Sequence, residues 1–241
     1  MEGERNPAPG SDGAKGEQGA ASISALQSII GVFANPRKTF EGMVAKPRFL
    51  IPLILVVLAQ AAFAIAIFES GIVKSDAIAK MEAKGKPPEM VDAMEKFFDS
   101  PAAPIIGATT AVVVTAFVLL FNSAILFFIG NLMLGARLRF QHYLCVAAHA
   151  AVVGLVDVAV RLGLALEKGT LDVRLGLGNL FGEDPGFLGR FLDTLSNPLM
   201  LWSFAVSSVG VSVFAKKSFS FGVLVVLPAF LIGAVLSGIS R

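Results

Sequence analysis

The chain contains five long stretches that are apolar at almost every position, separated by polar segments. Four of them carry no charge, at residues 49–68, 102–134, 194–215 and 218–240, and a fifth over residues 143–166 is interrupted by Asp157 and Arg161. A helix needs about 20 mostly apolar residues to cross the hydrocarbon core of a bilayer, whereas barrel strands are short and alternating. We therefore predict five membrane-spanning helices, at residues 49–68, 109–132, 143–164, 196–215 and 218–239.

In the segment before the first span, apolar residues recur at the spacing of a helix. Its apolar positions are Ile23, Leu26, Ile30 and Phe33. This spacing predicts an amphipathic helix. Asn35–Pro36 predicts its end and the start of a second short helix, because proline is favoured in a first helical turn. The apolar face of that second helix comprises Phe40, Met43 and Val44. We expect both helices to lie in the membrane interface beside the first span, after a disordered tail over residues 1–21.

Composition narrows the class of protein further. Of the 241 residues, 55% are apolar and 16% are charged, against about a quarter charged in soluble domains. This balance excludes a soluble enzyme domain, a disordered chain and a secreted disulfide scaffold. A net charge of +2 gives no reason to expect nucleic-acid binding. One cysteine and two histidines supply neither an internal disulfide nor the usual zinc ligands, so we expect no cofactor.

Basic residues are concentrated in alternate connections between the spans. Those before the first span, between the second and third and between the fourth and fifth are Arg37, Lys38, Lys46, Arg48, Arg137, Arg139, Lys216 and Lys217. The other two loops, residues 71–100 and 161–193, mix acidic and basic residues. Because Lys and Arg are enriched in cytoplasmic loops, we predict an inner-membrane protein with its N-terminus in the cytoplasm and its C-terminus outside.

The third span holds the groups that could carry chemistry inside the membrane. Asp157 and Arg161 are one helical turn apart, which predicts an ion pair near the outer end of the span that fixes packing. The alternative is a proton or solute relay, in which Asp157, His149 and Asn122 line the path of a small permease. Cys145 lies four residues before His149. An intramembrane lipid-modifying enzyme that uses this pair is a third alternative, but no third residue is evident to orient the two side chains for nucleophilic catalysis.

Other polar or glycine-rich positions predict structural roles. Candidates for hydrogen bonds between helices are Asn122, Ser123 and Asn131. Tyr143 and Trp202 are placed for anchoring at the membrane interface. The glycine-rich stretch over residues 176–182 predicts a flexible linker, and the apolar spacing over residues 187–195 predicts an interfacial helix after it.

A series of short motifs along the chain resembles one family of membrane proteins. The motif before the first span is made of Val32, Phe33, Pro36, Lys38 and Phe40. Later ones are residues 130–140 leading into the alanine-rich 143–150, residues 197–210, and the turn Lys216–Lys217. Together they resemble the Yip domain family of Ypt/Rab-interacting membrane proteins, in its bacterial form. The resemblance implies five spans, a cytoplasmic N-terminus and, in eukaryotic members, recruitment of Rab-type GTPases; the eukaryotic tail motif Asp-Leu-Tyr-Gly-Pro is absent here.

These observations predict an all-α integral membrane bundle over residues 22–241. We interpret it as a non-enzymatic protein that organises or scaffolds a membrane assembly through its cytoplasmic face. The candidate contact residues are Phe33, Pro36, Arg37, Lys38 and Phe40. The expected partners are the lipid bilayer and a membrane or cytoplasmic protein, with a homo-oligomer also open and no nucleic acid. A small permease remains the alternative function.

Overall fold

Two short helices precede the first span, and each is capped by the residue before it. In the computed structural model, which describes residues 24–182 and 184–239, α1 (Ala25–Ala34) begins after Ser24. The Ser24 hydroxyl accepts the Gln27 N–H at 3.2 Å, and the Gln27 side chain accepts the Ser24 N–H at 2.9 Å, which forms a capping box. Asn35 caps α2 (Pro36–Glu41) by accepting the Lys38 N–H at 3.0 Å. The predicted break at Asn35–Pro36 is confirmed; the predicted tail lies outside the described residues.

Eight further α-helices complete the described part of the chain. They are α3 (Leu50–Glu69), α4 (Ile72–Ala83), α5 (Pro88–Phe98), α6 (Ala102–Phe127), α7 (Phe140–Lys168), α8 (Gly186–Ser196), α9 (Pro198–Ala215) and α10 (Phe219–Ile239). Helix α6 continues as a π-helix over Phe128–Met133, and a 3-10 helix covers Leu177–Phe181. Five of these, α3, α6 with its π-helical end, α7, α9 and α10, are long and apolar enough to cross a membrane. The five predicted spans are therefore confirmed as helices, and the helix that contains the second begins at Ala102.

Helix α7 is the centre of the bundle. It packs against α3, α6 and α9. In its apolar 18-residue segment 61% of the residues are buried inside the protein, whereas 11% are buried in the corresponding segment of α3. The outer surfaces of α3 and α6 consist of exposed Leu, Ile, Val and Phe side chains. A soluble protein does not expose so continuous an apolar surface, so these surfaces face lipid.

Helices α1 and α2 are part of the bundle. Helix α1 contacts α7 and α3, and α2 packs along α9. Ser28 and Val32 of α1 are fully buried, whereas Leu26 and Ile30 are exposed. The side of α1 that carries Leu26 and Ile30 thus faces away from the protein, which is the orientation required of a helix whose outer face meets lipid.

The last two spans form a hairpin with very close backbones. A Cβ atom added at Gly222 of α10 would lie 1.9 Å from the Ser208 carbonyl oxygen of α9. Small residues allow this kind of backbone approach in lipid, where van der Waals packing holds helices together. Further along α10, a Cβ added at Gly233 would meet no atom within 4 Å.

We expect Gly222→Ala to lower the free energy of unfolding by about 1–3 kcal/mol, because the added methyl must push the two helix backbones apart. Gly233→Ala is the matched control on the same helix and should be neutral or slightly stabilising, since alanine is the better helix former. The denaturant midpoint of each variant in mixed micelles measures the difference. Equal midpoints for the two variants would contradict the close approach.

Candidate functional site

Four polar side chains meet at one end of the bundle, and we call them the Asp157 cluster: Asp157, Arg161, Asp193 and Asn197. The Arg161 Nε donates to Asp157 Oδ2 at 2.9 Å, and its Nη2 donates to Asp193 Oδ2 at 3.4 Å. The Asn197 Nδ2 donates to Asp157 Oδ1 at 2.6 Å. Asp157 is 2% exposed and Asp193 is 6% exposed. The predicted ion pair is therefore present, within a larger network whose acidic side chains are buried and whose arginine is partly exposed.

Three helices position the side chains of the Asp157 cluster. Asp157 and Arg161 lie one turn apart on α7, and Asp193 is in the last turn of α8. Asn197 is the N-cap of α9, where its Oδ1 accepts the Leu199 N–H at 2.9 Å. This leaves its amide nitrogen free to reach Asp157. The cluster thus fastens α7, α8 and α9 to one another.

The glycine-rich loop before α8 is held in place by the same cluster. The Gly176 N–H donates to Asp193 Oδ1 at 2.7 Å, and Arg161 donates to the Val173 carbonyl. The Leu177 N–H donates to Ser196 Oγ at 2.7 Å. The stretch predicted as a flexible linker, residues 176–182, instead contains a 3-10 helix over Leu177–Phe181, and side chains of α8 accept the Gly176 and Leu177 N–H groups.

Glycine is required in this loop for close packing against α8. A Cβ atom added at Gly178 would lie 2.7 Å from the Cβ of Asp193. Arg174 adds a second set of restraints by donating to the Gly178 and Gly182 carbonyls and to Asp172. The hydrogen bond from the Arg174 guanidinium to the Asp172 carboxylate holds the pKa of Asp172 below its ordinary value.

Sequence reasoning found half of the Asp157 cluster. The spacing of Asp157 and Arg161 indicated a pair, but nothing local connects either residue to Asp193 or Asn197, which lie more than 30 positions away. The Asn197–Pro198 sequence did carry one usable signal, since asparagine before proline is typical of a helix N-cap. Asp193 had no such signal.

The other polar candidates inside the spans have separate partners. His149 is fully buried; its Nδ1 donates to the Cys145 carbonyl at 2.8 Å, and its Nε2 lies within hydrogen-bond distance of Ser28 Oγ, at 3.2 Å. His149 therefore fastens α1 to α7. Asn122 is half-buried on α6. Among the described residues, no hydrogen bond joins His149, Asp157 and Asn122 directly.

The opposite end of the bundle gathers the basic residues of three separate segments, and we call it the basic end. It comprises α2, the loop over residues 134–139 and the turn between α9 and α10. The Phe214 ring near the end of α9 lies 5.6 Å from the Phe40 ring and 5.1 Å from the His142 ring. These contacts bring α2, the start of α7 and the end of α9 side by side.

The candidate contact residues at the basic end differ in exposure. Arg37 and Lys38 are exposed, Pro36 is half-buried, and Phe33 is 39% exposed. Arg37 pairs with Glu41 at 3.0 Å on the same surface. Phe40, in contrast, is fully buried against His149 and Phe214. This burial removes Phe40 from the candidate contact surface, which leaves Phe33, Pro36, Arg37 and Lys38.

The two aromatic residues expected at the membrane interface, Tyr143 and Trp202, also differ in exposure. Trp202 is exposed near the start of α9, as an interfacial anchor would be. Tyr143 is fully buried, and its hydroxyl donates to Asn131 Oδ1 at 2.9 Å. The anchoring prediction is wrong for Tyr143, since the ring packs over Gly130. The predicted hydrogen bond between helices is confirmed for Asn131.

Five apolar spans with two short helices packed into them define a multi-pass α-helical membrane protein. The family model described as the Yip1 domain matches residues 30–239, from α1 to the end of α10. The chain therefore belongs to the Yip1 domain family, which confirms the family that its motifs resemble. Searches of curated proteins and of solved structures give no match.

Proposed function

We propose that this Yip1-domain protein is a non-enzymatic organiser of a membrane assembly. Its contact surface is formed by Phe33, Pro36, Arg37 and Lys38, and its basic end lies in the cytoplasm. The observation that carries the proposal is the fixed position of α2, which displays the exposed cations Arg37 and Lys38 a few residues after the partly exposed Phe33 of α1. The concentration of Lys and Arg at this end supports the orientation.

Rigid attachment suits α2 to recognition. Ser28 bonds to His149 at 3.2 Å, and the Thr39 hydroxyl donates to the Asn35 carbonyl at 2.9 Å. Phe40 fills the space beside Gly210. Because the bundle already orders this segment, a partner meets a preformed surface and loses less conformational entropy on binding. Arginine and aromatic residues are also the types enriched at protein interfaces.

The partner that fits this surface is a cytoplasmic or membrane-bound protein with acidic residues. The charges of Arg37 and Lys38 would steer such a partner toward the basic end, and Phe33 would supply apolar contact. We place the protein in the inner membrane on the same argument of charge and orientation.

The test is a variant that carries Phe33→Ala, Arg37→Glu and Lys38→Glu. In mild detergent we expect it to lose, by at least about tenfold, the proteins that co-purify with the native chain, because charge reversal turns attraction into repulsion. Quantitative mass spectrometry of the purified complexes measures the loss.

The control is Lys84→Glu with Lys86→Glu, which changes two exposed lysines in the loop after α4. It should retain the same partners. An unchanged set of partners in the first variant would overturn the proposed surface. A reporter fused after Lys217 that reads outside the cytoplasm would overturn the orientation.

A further inference from the structure

Two basic residues at the basic end adopt a backbone conformation that favours glycine. Arg137 has a φ of 55° and Lys216 has a φ of 52°, and they are the only non-glycine residues with positive φ among those described. Side chains with a Cβ are disfavoured in this left-handed region. Glycine or asparagine is the ordinary choice there. Arg137 and Lys216 therefore lie at positions where a side chain costs conformational free energy.

The loop that carries Arg137 is held on both sides of that residue. The Ala136 N–H donates to the Gly130 carbonyl at 2.8 Å. Asn131 accepts the Leu138 N–H at 3.0 Å and donates to the Leu138 carbonyl at 2.6 Å. Arg137 thus lies between two anchored neighbours, while it is itself exposed.

The turn that carries Lys216 is also a regular structure. Lys216 ends α9 in the left-handed conformation, and the Lys217 N–H returns to the Ser212 carbonyl at 2.9 Å. This is the arrangement in which helices usually place a glycine. A lysine at this position, followed directly by Lys217, projects two cations from the end of the hairpin.

The start of α7, which follows the loop, lies beside the end of α9, which precedes the turn. His142 and Phe214 are in ring contact at 5.1 Å; Arg139 lies three residues before His142, and Lys216 lies two residues after Phe214. Neither segment contains an acidic residue. Within the described residues, no ion pair engages Arg137, Arg139, Lys216 or Lys217. The acid Glu41 on nearby α2 is paired with Arg37.

We infer that Arg137 and Lys216, with Arg139 and Lys217, form a site for the phosphate group of an anionic membrane lipid. Four exposed cations at the ends of membrane-spanning helices lie at the level of the headgroups, where an anionic lipid supplies the missing counter-charge. Arginine binds phosphate through paired N–H donors, and lysine adds a compact charge. The site uses residues other than the proposed contact surface on α2, so it does not depend on the proposed function.

Native mass spectrometry of the purified full chain, titrated with phosphatidylglycerol or phosphatidylcholine in mild detergent, tests this inference. We expect Arg137→Gln with Lys216→Gln to weaken phosphatidylglycerol binding by about tenfold or more and to leave phosphatidylcholine binding unchanged. The control variant, Lys84→Gln with Lys86→Gln, loses the same charge from two other exposed lysines and should bind phosphatidylglycerol like the native chain. Similar binding by both variants would overturn the site.

A glycine variant distinguishes the effect of lipid binding on stability from the effect of backbone conformation. Arg137→Gly with Lys216→Gly removes both side chains where glycine is the better residue, so its thermal midpoint in phosphatidylcholine should equal or exceed that of the native chain. The rise in midpoint that phosphatidylglycerol gives the native chain should be lost. A lower midpoint in phosphatidylcholine, or an undiminished rise, would overturn the inference. Inorganic phosphate at the same concentration should not displace phosphatidylglycerol; displacement would show a phosphate site rather than a lipid site.

Discussion

Replacing Arg161 by glutamine is expected to lower the free energy of unfolding by about 3 kcal/mol, the lower end of the range for one partner of a buried ion pair, because the two carboxylates are buried but the Arg161 side chain is 30% exposed. The variant would leave Asp157 and Asp193, at 2% and 6% exposure, without their shared cation. It would also remove the donor to the Val173 carbonyl, so the loop before α8 should loosen. The denaturant midpoint in mixed micelles measures the stability, and proteolysis of the loop measures its release.

The chain offers a matched control for this prediction. Arg37 and Glu41 have the same four-residue spacing and a similar distance, 3.0 Å, but both side chains are exposed. Exposed pairs of this kind contribute little, so Arg37→Gln should hardly change the midpoint. Adding Asp157→Asn and Asp193→Asn to Arg161→Gln should recover part of the loss, because the unpaired charges are then gone. If Arg161→Gln lowers the denaturant midpoint no more than Arg37→Gln does, the Asp157 cluster does not hold the helices together.

The spans could be predicted from sequence because each is marked by a continuous run of apolar residues. The lengths of the apolar runs identify all five helices, and residues such as Asn35 and Pro36 mark a boundary by local capping chemistry. The contacts of Asp157 with Asn197 and of Arg161 with Asp193 needed the tertiary structure. They depend on how distant segments meet, which no local spacing encodes.

Which apolar residues face the protein and which face lipid could not be predicted either. In a soluble helix the apolar side is the buried side, but lipid chains are as apolar as a protein core. Phe33 and Phe40 therefore resemble one another in sequence, yet Phe33 is 39% exposed and Phe40 is fully buried. In α1 the small polar Ser28 is buried, because His149 offers it a hydrogen bond.

Phe40 joins α2 to the centre of the bundle. Its ring lies 5.6 Å from the Phe214 ring and 5.7 Å from the His149 ring, both in edge-to-face geometry. A Cβ atom added at Gly210 would lie 2.9 Å from the Phe40 ring, so the ring sits directly over the α9 backbone. Everything proposed for the surface of α2 depends on this attachment.

We expect Phe40→Ala to lower the free energy of unfolding by about 3–5 kcal/mol, since it removes buried contacts and leaves a cavity that the helices cannot close. Helix α2 should then detach more often, and trypsin should cleave after Arg37 and Lys38 faster than in the native chain. Phe33→Ala, one helix earlier, is the control, and it should change neither the midpoint nor the cleavage rate appreciably because its ring is partly exposed. Equal behaviour of the two variants would mean that α2 is held by contacts other than the Phe40 ring.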